Sequence, residues 1–336
     1  MTTQPATRGV PDPSGHAPVL LQQVADLLAA QPGQTMADLT AGRGGHAAML
    51  AQRVAPGGRL LLVDRDLTNL AYAHQRVEAT PGVHAAPGGH ATPGVQVSTF
   101  HGNFAALPSI LGNLGWQADG LLADLGFAST QVDDPARGLS FLHPGPLDMR
   151  LDPTQGETAA QLVARLPEAE LADLIFHWGE DPFARRIARA IVEARQRAPI
   201  QTTQDLAQVV RQAYGARARQ SRLNPATRTF MALRIRVNDE LGSLEGLLEA
   251  VSQAARSVAA GRISWLRPGA RVAIISFHSL EDRLVKHTFA DLERAGAGER
   301  LTRKPVEADA PEHAANPRAR SAKLRVFHVC ESPAAV

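Results

Sequence analysis

The chain of 336 residues is 44% apolar, 20% charged and 4% aromatic, with a formal net charge of +2; this composition excludes a disordered chain and allows about two globular domains. Its one cysteine, Cys330, excludes an internal disulfide and a cysteine zinc site. The small net charge means that a role with nucleic acid requires a local basic patch, and the scarcity of aromatic residues disfavours a protein that stacks many bases of a single strand.

Residues 1–15 lack the apolar segment of a signal peptide, so we interpret them as a disordered leader. No run of about 18 apolar residues occurs in the sequence, which predicts that no helix spans a membrane. A cytoplasmic location, in a reducing compartment that suits a single cysteine, is the default expectation.

Helical and extended patterns alternate through the first part of the chain. Residues 18–30 carry an apolar stripe at helical spacing, 35–40 form a short strand candidate, and 58–66 are an apolar run that suits a buried parallel strand. The alternation continues with these segments: a helix over 46–54, a helix over 68–77, a strand that starts at Val95 and a strand that ends at Asp124. This order predicts an α/β fold with an open, doubly wound sheet.

Residues 79–95 interrupt the alternation with low-complexity sequence, in which "ATPGV" occurs twice around "HAAPGGH". A segment rich in proline, glycine and alanine cannot bury a core. His84 and His90 raise the alternative of a metal tract, but we interpret the segment as a loop insertion at the surface and predict no metal site.

The alternation stops at about residue 133, and the following segments are first loop-like and then helical. We predict an inserted all-helical domain over 140–228, which recognises the substrate, and a core formed by 16–135 and 230–336. The core resumes with these elements: a long helix from Asn238, a strand over 270–277, a helix over 279–292 and a last strand over 323–329.

The segment "DLTAGRGGH", residues 38–46, places three glycines between a strand and a helix. Such a turn lets a ligand approach the backbone, and the start of the helix offers amides to it. Asp64 ends the next strand, 22 residues after Gly42, and suits the diol of a ribose. Ala47 stands where a dinucleotide fingerprint has its third glycine, so the pattern favours S-adenosylmethionine. The alternative is a tight turn followed by an ordinary strand-end acid.

Two further strand ends carry polar residues that suit a ligand or a substrate. Asp124 in "LLADLGFAS" is a candidate to hold the adenine, the methionine amine or the methyl acceptor, with a capping aspartate as the alternative, and Gln131 lies in the same loop. Ser276 and His278 in "ISFHSLEDR" are within reach of a substrate, although a helix cap at Ser279 also explains this segment. The elbow of a serine hydrolase, G-x-S-x-G, is missing here.

Arginines cluster in two tracts. Seven fall between residues 211 and 236 with no acidic residue among them, and a second tract near the end of the chain runs from Arg318 to Arg325. Two tracts beside a cofactor edge favour RNA or DNA as the substrate, whereas one tract alone is more often a solvated surface. The residues that we expect to contact substrate RNA are Arg222, Asn224, Arg228, Arg234, Arg236, Arg318 and Arg320.

In their order along the chain, these segments resemble the ribosomal RNA small subunit methyltransferase H family. The resemblance extends over about residues 16–325 and is carried by "HAPVLLQQV", "DLTAGRGGH", "LLLVDRD", "DGLLADLGFAS", "RGLSF", "GPLDMRLDP", "NPATRTFMALRIRVNDEL", "ISFHSLEDRLVK" and "NPRARSAKLR". It implies a Rossmann-like class I methyltransferase sheet interrupted by a helical domain. It also implies that S-adenosylmethionine is the cofactor and that N4 of a cytidine in the decoding region of bacterial 16S ribosomal RNA is methylated. Naked RNA, the assembled small subunit and a homodimer all stay open.

The resemblance also implies roles for single residues. It assigns the methionine portion of the cofactor to Gly44, Gly45 and His46, the ribose to Asp64, the adenine to Phe104, and the remaining cofactor contacts to Asp124 and Gln131. The sequence departs from the family at Phe127, Ala128 and Thr130, where smaller residues or proline are usual.

Methyl transfer to an exocyclic amine requires alignment and an acceptor for the amine N–H, but not the cysteine nucleophile that attack at cytosine C5 needs. We expect Asp124, or its adjacent backbone carbonyl, to be this acceptor. Ser276 and His278 are expected to orient the base of an unpaired or flipped cytidine. The alternatives are a methyltransferase for another RNA base, a ribosome assembly factor that binds RNA without chemistry, and a nicotinamide oxidoreductase, which Ala47 and the arginine tracts disfavour.

Overall fold

The computed structural model describes residues 18–83, 94–219 and 224–331. The predicted leader and residues 84–93 of the predicted loop insertion lie outside the described residues, and so does Arg222. The chain divides into two compact units, which we call the sheet unit (residues up to Gly126 and from Ser243 onward) and the helical unit (Phe127–Gly242).

Helices and strands alternate in the sheet unit, whereas the described part of the helical unit contains helices and no strand. The strands are β1 (Thr35–Asp38), β2 (Arg59–Asp64), β3 (Gln96–His101), β4 (Ala118–Asp124), β5 (Leu266–Ser276), β6 (Gly298–Arg300) and β7 (Lys323–Val329). The helices are α1 (Leu21–Leu28), α2 (Gly45–Val54), α3 (Leu67–Glu78), α4 (Leu107–Leu114), α5 (Ser129–Asp133), α6 (Ala159–Arg165), α7 (Glu168–Gly179), α8 (Ala184–Arg197), α9 (Thr203–Tyr214), α10 (Ala226–Asn238), α11 (Glu240–Ala259), α12 (Ser279–Arg294) and α13 (Ala310–Ala315).

The strands form one sheet in the order β3-β2-β1-β4-β5-β7-β6. All pairs of adjacent strands among β1 to β5 are parallel. Strand β7 runs antiparallel to both β5 and β6. The strand order reverses between β1 and β4, and ligands of doubly wound sheets bind in the crevice at such a point. The predicted α/β fold, an open, doubly wound sheet interrupted by a helical unit, is confirmed.

Helices cover both faces of the parallel strands, which explains why the strands are continuous apolar runs. In β2, Leu61 and Val63 belong to a cluster that includes residues of α4 and α11, whereas Leu60 and Leu62 belong to a second cluster with residues of α1, α2 and α3. Successive side chains of a strand point to opposite faces, so a strand buried on both sides has no polar face.

The periodicity of the sequence does not reveal β6, α5 and α13, which have three, five and six residues. Elements this short contain too few residues to establish a repeat. Strand β6 is defined by its pairing with β7, in which Gly298 lies opposite Val329.

The helical unit has an apolar core of its own, to which helices α6 to α10 contribute. In α8, Ile187 and Ile191 are buried while Arg185 and Arg189 are exposed, as the periodicity predicts.

The helical unit is longer than the predicted 140–228 at both ends. Its last helix, α10, belongs to it because Phe230 and Leu233 are buried in the helical core, although we predicted that the sheet domain resumes at residue 230. At the other end the unit begins at Phe127. Apolar residues of a helix do not indicate which of two cores they fill, so the sequence pattern cannot place this boundary.

Candidate active site

Four polar side chains lie at the carboxyl edge of the sheet. Asp38, Asp64, Asp124 and Ser276 are the last residues of β1, β2, β4 and β5, which are adjacent in the sheet. The register places Asp124 opposite Ile275, one residue before Ser276. The reversal of strand order between β1 and β4 therefore falls between Asp38 and Asp124.

The glycine turn connects β1 to α2 and reaches across to β2. The amide of Ala41 donates to the carbonyl of Val63 (2.9 Å), and the amide of Gly44 donates to the carbonyl of Ala41 (2.8 Å). Gly42 and Gly44 have φ angles of 49° and 72°, which glycine adopts without strain. No side chain of the described residues caps α2, so its first turn has the geometry of an anion site.

Two of the three glycines are required by packing within the protein. A Cβ at Gly44 would lie 2.8 Å from Cα of Ala73 in α3, and a Cβ at Gly45 would overlap the ring of Pro18. A Cβ at Gly42 would meet no atom closer than 3.7 Å. Close approach of α3 and of the segment before α1, rather than of a ligand alone, thus explains the glycines at 44 and 45.

Asp64 is held by two backbone amides. Its Oδ2 accepts from the amide of Gly42 (2.7 Å), and its Oδ1 accepts from the amide of Asp66 (2.8 Å). Each carboxylate oxygen can accept more than one hydrogen bond, so the half-buried side chain keeps acceptor capacity for a diol. Burial raises the pKa of Asp64 to about 6, although both amides act in the opposite direction.

Asp38 is a member of the site that the sequence analysis did not single out. Its Oδ1 accepts from the amide of Thr40 (3.2 Å), and its buried Oδ2 has no hydrogen-bond partner within residues 18–83, 94–219 and 224–331. Burial, with a smaller contribution from the charge of Asp64, raises the pKa of Asp38 to about 7. The signal was present in the sequence, since an acid ends the strand directly before the glycine turn.

The pKa of Asp124 is raised well above its ordinary value. Burial is the main cause, and the charges of Asp38 and Glu281 add to it. Its amide donates to Oγ1 of Thr40 (2.7 Å), which links the ends of β4 and β1. Its buried Oδ1 has no hydrogen-bond partner among the described residues.

The imidazole of His46 contacts protein groups on both sides. Its Nε2 lies 2.9 Å from the carbonyl oxygen of Val19, and its Nδ1 lies 3.7 Å from Oδ2 of Asp124. Because a carbonyl can only accept, Nε2 carries the proton in this arrangement. A contact from His46 to a cofactor would therefore come from its backbone at the first turn of α2.

Phe104 and Gln131, the other two predicted cofactor contacts, lie in different units. Phe104 follows β3, in which His101 pairs with Asp64, and its side chain is half-buried. Gln131 lies in α5 of the helical unit, where it is buried and its Oε1 accepts from the amide of Ala128 (2.8 Å).

Ser276 and His278 differ in what they offer to a substrate. Ser276 is fully buried, and within the described residues its Oγ has no hydrogen-bond partner. His278 caps α12: its Nδ1 accepts from the amide of Glu281 (3.5 Å), and its Nε2 lies 3.2 Å from Oε1 of Glu281. The N-cap of α12 is therefore His278, whereas the sequence analysis placed this cap at Ser279.

Some residues of the arginine tracts are engaged inside the protein. Arg234 forms a bidentate salt bridge with Glu240 (2.9 Å for both contacts), and its guanidinium lies over the ring of Phe127. Arg325 is buried and pairs with Asp282 (2.7 and 3.2 Å). These two arginines hold the fold, and neither one is displayed at the surface for a substrate.

The other predicted RNA contacts in the described chain are more exposed. Arg236, Arg318, Arg320 and Asn224 are exposed, and Oδ1 of Asn224 accepts from the amide of Ala226 (3.0 Å). Arg228 donates to the carbonyl of Glu180 (2.9 Å) at the end of α7.

The donor and acceptor groups at the sheet edge fit S-adenosylmethionine. Asp38 and Asp124 have buried oxygens that need a donor or a cation, Asp64 has acceptor capacity for a diol, and α2 begins without a side-chain cap. A ligand with a positive charge, a ribose and a carboxylate would compensate each of them. Among the described residues, no helix is long and apolar enough to cross a membrane.

Comparison with known proteins gives matches over nearly the whole chain. Residues 13–330 match the model of the MraW methylase family. Relatives named ribosomal RNA small subunit methyltransferase H include that of Nitratidesulfovibrio vulgaris (44% identical, covering 95% of this chain and 87% of the relative) and that of Symbiobacterium thermophilum (44% identical, covering 92% and 95%). A solved S-adenosylmethionine-dependent O-methyltransferase from Thermotoga maritima covers 94% of this chain and 66% of its own, with 9% identity and a TM-score of 0.37.

We expect Gly44→Ala to lower the free energy of unfolding by about 2 to 4 kcal/mol, because it places a side chain at positive φ and against the backbone of α3. Denaturation by urea, followed by circular dichroism, measures the change. The matched control is Gly112→Ala in α4, where a Cβ meets nothing within 4 Å. This substitution should raise the free energy of unfolding by at most about 1 kcal/mol, because alanine favours a helix more than glycine does. Equal effects of the two substitutions would contradict the packing explanation.

The raised pKa of Asp38 predicts that stability of the cofactor-free protein falls as pH rises from about 4 to about 7. Over this range the unfolded chain loses the Asp38 proton while the folded chain keeps it, so the folded state becomes less favoured. Urea midpoints at several pH values should decline less steeply in Asp38→Asn than in the wild type. Asp26→Asn, at an exposed position of α1, is the control and should follow the wild-type slope; an unchanged slope in Asp38→Asn would refute the assignment.

Proposed function

The chain belongs to the MraW methylase family, and we propose that it transfers a methyl group from S-adenosylmethionine to the N4 amine of a decoding-region cytidine in 16S ribosomal RNA. S-adenosylmethionine is the methyl donor, and ribosomal RNA of the small subunit is the substrate. The choice of N4 of cytidine is the finer part of the proposal. The observation that supports it most is the buried carboxylate oxygen of Asp124 at the switch point of the sheet, which has no hydrogen-bond partner in the part of the chain that the structure describes.

Each part of the cofactor has a matching group in the sheet unit. Asp64 would accept both hydroxyls of the ribose, and the half-buried Phe104 would lie against the adenine. The first turn of α2, with Gly44, Gly45 and the backbone of His46, would bind the methionine carboxylate. Asp124 would supply a further contact in this unit, and Gln131, which belongs to the helical unit, stays a predicted cofactor contact. When bound, the cofactor supplies a methyl group activated by a positively charged sulfur.

Asp124 suits the role of acceptor for the amine. The lone pair of a cytosine amine is delocalised into the ring, so an acceptor must bind an N–H to localise it. A carboxylate with a raised pKa is a stronger base than an exposed one, so Asp124 would hold this N–H and then accept the proton that methylation releases. The raised pKa of its neighbour Asp38 keeps part of the nearby negative charge neutralised at neutral pH.

Ser276 and His278 would assist differently. The buried Oγ of Ser276 can donate to or accept from a base edge. His278 is engaged with Glu281 at the cap of α12, so we assign it the positioning of the loop between β5 and α12 rather than proton transfer. The cytidine must be unpaired or flipped for its amine to reach this edge.

We expect basic and polar side chains of the arginine tracts to bind the RNA through its phosphates. On the helical unit Arg222, Asn224, Arg228 and Arg236 stay as predicted contacts, and on the sheet unit Arg318 and Arg320 do. Arg234 does not, because Glu240 occupies its guanidinium. Contacts to phosphate position the RNA without reading its sequence.

The function is tested by incubating the protein with labelled S-adenosylmethionine and small-subunit particles that lack the modification, and then mapping the label. We expect one labelled cytidine in the decoding region, with the methyl group on N4. Naked 16S RNA in a parallel reaction decides which form is the substrate. Label on another base or on C5 would contradict the N4 assignment, and absence of label in both substrates would contradict methyl transfer.

Variants of two acids separate cofactor binding from chemistry. Asp64→Ala should weaken S-adenosylmethionine binding by about 10- to 100-fold in calorimetry, because two charge-assisted hydrogen bonds are lost. Asp124→Asn should lower turnover at saturating cofactor by about 100-fold or more, because the amide cannot accept the proton. The exposed Asp26→Asn controls for the loss of one charge. Wild-type affinity in Asp64→Ala would remove the ribose role, and wild-type turnover in Asp124→Asn would remove the acceptor role.

A further inference from the structure

Arg43 stands between the glycines of the turn, and neither the fold nor the cofactor site explains it. Its guanidinium carbon lies 3.3 Å from the centroid of the Tyr72 ring in α3, so the two groups stack. Its Nε is buried without a hydrogen-bond partner, and it forms no ion pair with any residue that the structure describes. A half-buried arginine without a carboxylate partner is suited to bind an anion.

A cavity of about 440 Å³ opens beside this stacked pair. Its lining consists of Arg43, Leu67, Thr68, Ala71, Tyr72 and Gln75. Arg43 is the only charged residue in this lining, so nothing there repels an anion. Leu67 is 61% exposed, which leaves the cavity open to solvent and presents an apolar surface at its mouth.

The cavity adjoins the candidate ribose site. Gly42, directly before Arg43, donates its amide to Oδ2 of Asp64, and Asp66, directly before Leu67, donates its amide to Oδ1. Two residues of the lining are thus chain neighbours of the two residues that hold Asp64. The backbone of Arg43 is held in turn, because its carbonyl accepts from Nη1 of Arg76 (3.1 Å).

Building on the function proposed above, we propose that this cavity binds one nucleotide of the RNA substrate close to the cytidine that is methylated. A guanidinium stacked on an aromatic ring offers a flat surface for a base and N–H groups for a phosphate. Leu67 adds apolar contact area, and the volume lies in the range of small-ligand sites. An RNA strand is favoured over a free nucleotide because the open mouth allows a chain to enter and leave.

The test measures binding of a single-stranded RNA of about ten nucleotides, a length that fits one binding module, by fluorescence anisotropy. The variants are Arg43→Ala, Arg43→Lys and Leu67→Asp, and the matched control is Arg53→Ala, which removes the same charge from the exposed end of α2. Each variant is also titrated with S-adenosylmethionine, and circular dichroism shows whether it is folded. Leu67→Asp is at an exposed position and tests the cavity without altering the glycine turn.

We expect Arg43→Ala and Leu67→Asp to weaken RNA binding by about tenfold, with a smaller loss in Arg43→Lys, while Arg53→Ala changes it by less than about threefold. Arg43→Ala should also reduce the dependence of log affinity on log salt by about one. The affinity for S-adenosylmethionine should stay within about twofold of the wild type in all four variants.

Three results would overturn the proposal. RNA affinity at the wild-type level in folded Arg43→Ala and Leu67→Asp would show that the cavity takes no part. Equal losses for RNA and S-adenosylmethionine would place Arg43 in the cofactor site. Cytidine monophosphate binding as tightly as the RNA, with the same sensitivity to Arg43→Ala, would indicate a site for free nucleotides. Methyl transfer by the wild-type protein decides separately whether the proposed function itself holds.

Discussion

The site depends on carboxylates that the fold removes from water without supplying enough hydrogen bonds. Asp38 and Asp124 each keep a buried oxygen that has no hydrogen-bond partner in the described chain, and burial raises the pKa of both. Such groups are unfavourable in a folded protein until a donor or a cation meets them. The parallel sheet places them at the point where strand order reverses, and in the function that we propose a positively charged ligand would compensate these two carboxylates.

The glycine turn is constrained by packing and is also part of the cofactor site that we propose. Its first glycine gives an amide to Asp64, whereas Gly44 and Gly45 are small because α3 and Pro18 lie against them. The same close packing brings Tyr72 of α3 within stacking distance of Arg43. Substitutions at Gly44 or Gly45 would therefore change stability together with the proposed ligand binding, and the two effects need separate measurements.

Arginines that look alike in the sequence have different roles in the structure. Arg325 and Arg234 are held by Asp282 and Glu240, Arg43 stacks on Tyr72, and Arg236 is exposed. An exposed arginine can exchange water for a phosphate at a small free-energy cost, whereas an arginine in a bidentate salt bridge must first break that salt bridge. A count of basic residues thus overestimates the surface that is available to RNA.

The sequence by itself determined the order of the longer strands and helices, the presence of a helical insertion, and the positions of the glycine turn, Asp64 and Asp124 at strand ends, because periodic burial and strand–turn–helix patterns are local. Only the tertiary structure decided that Asp38 belongs to the site, that His278 caps α12, and which glycines are fixed by packing. It also decided which arginines are paired. These outcomes depend on contacts between residues far apart in the chain, such as Arg325 with Asp282, 43 positions away. No local pattern records such contacts, since either partner alone looks like an ordinary surface residue.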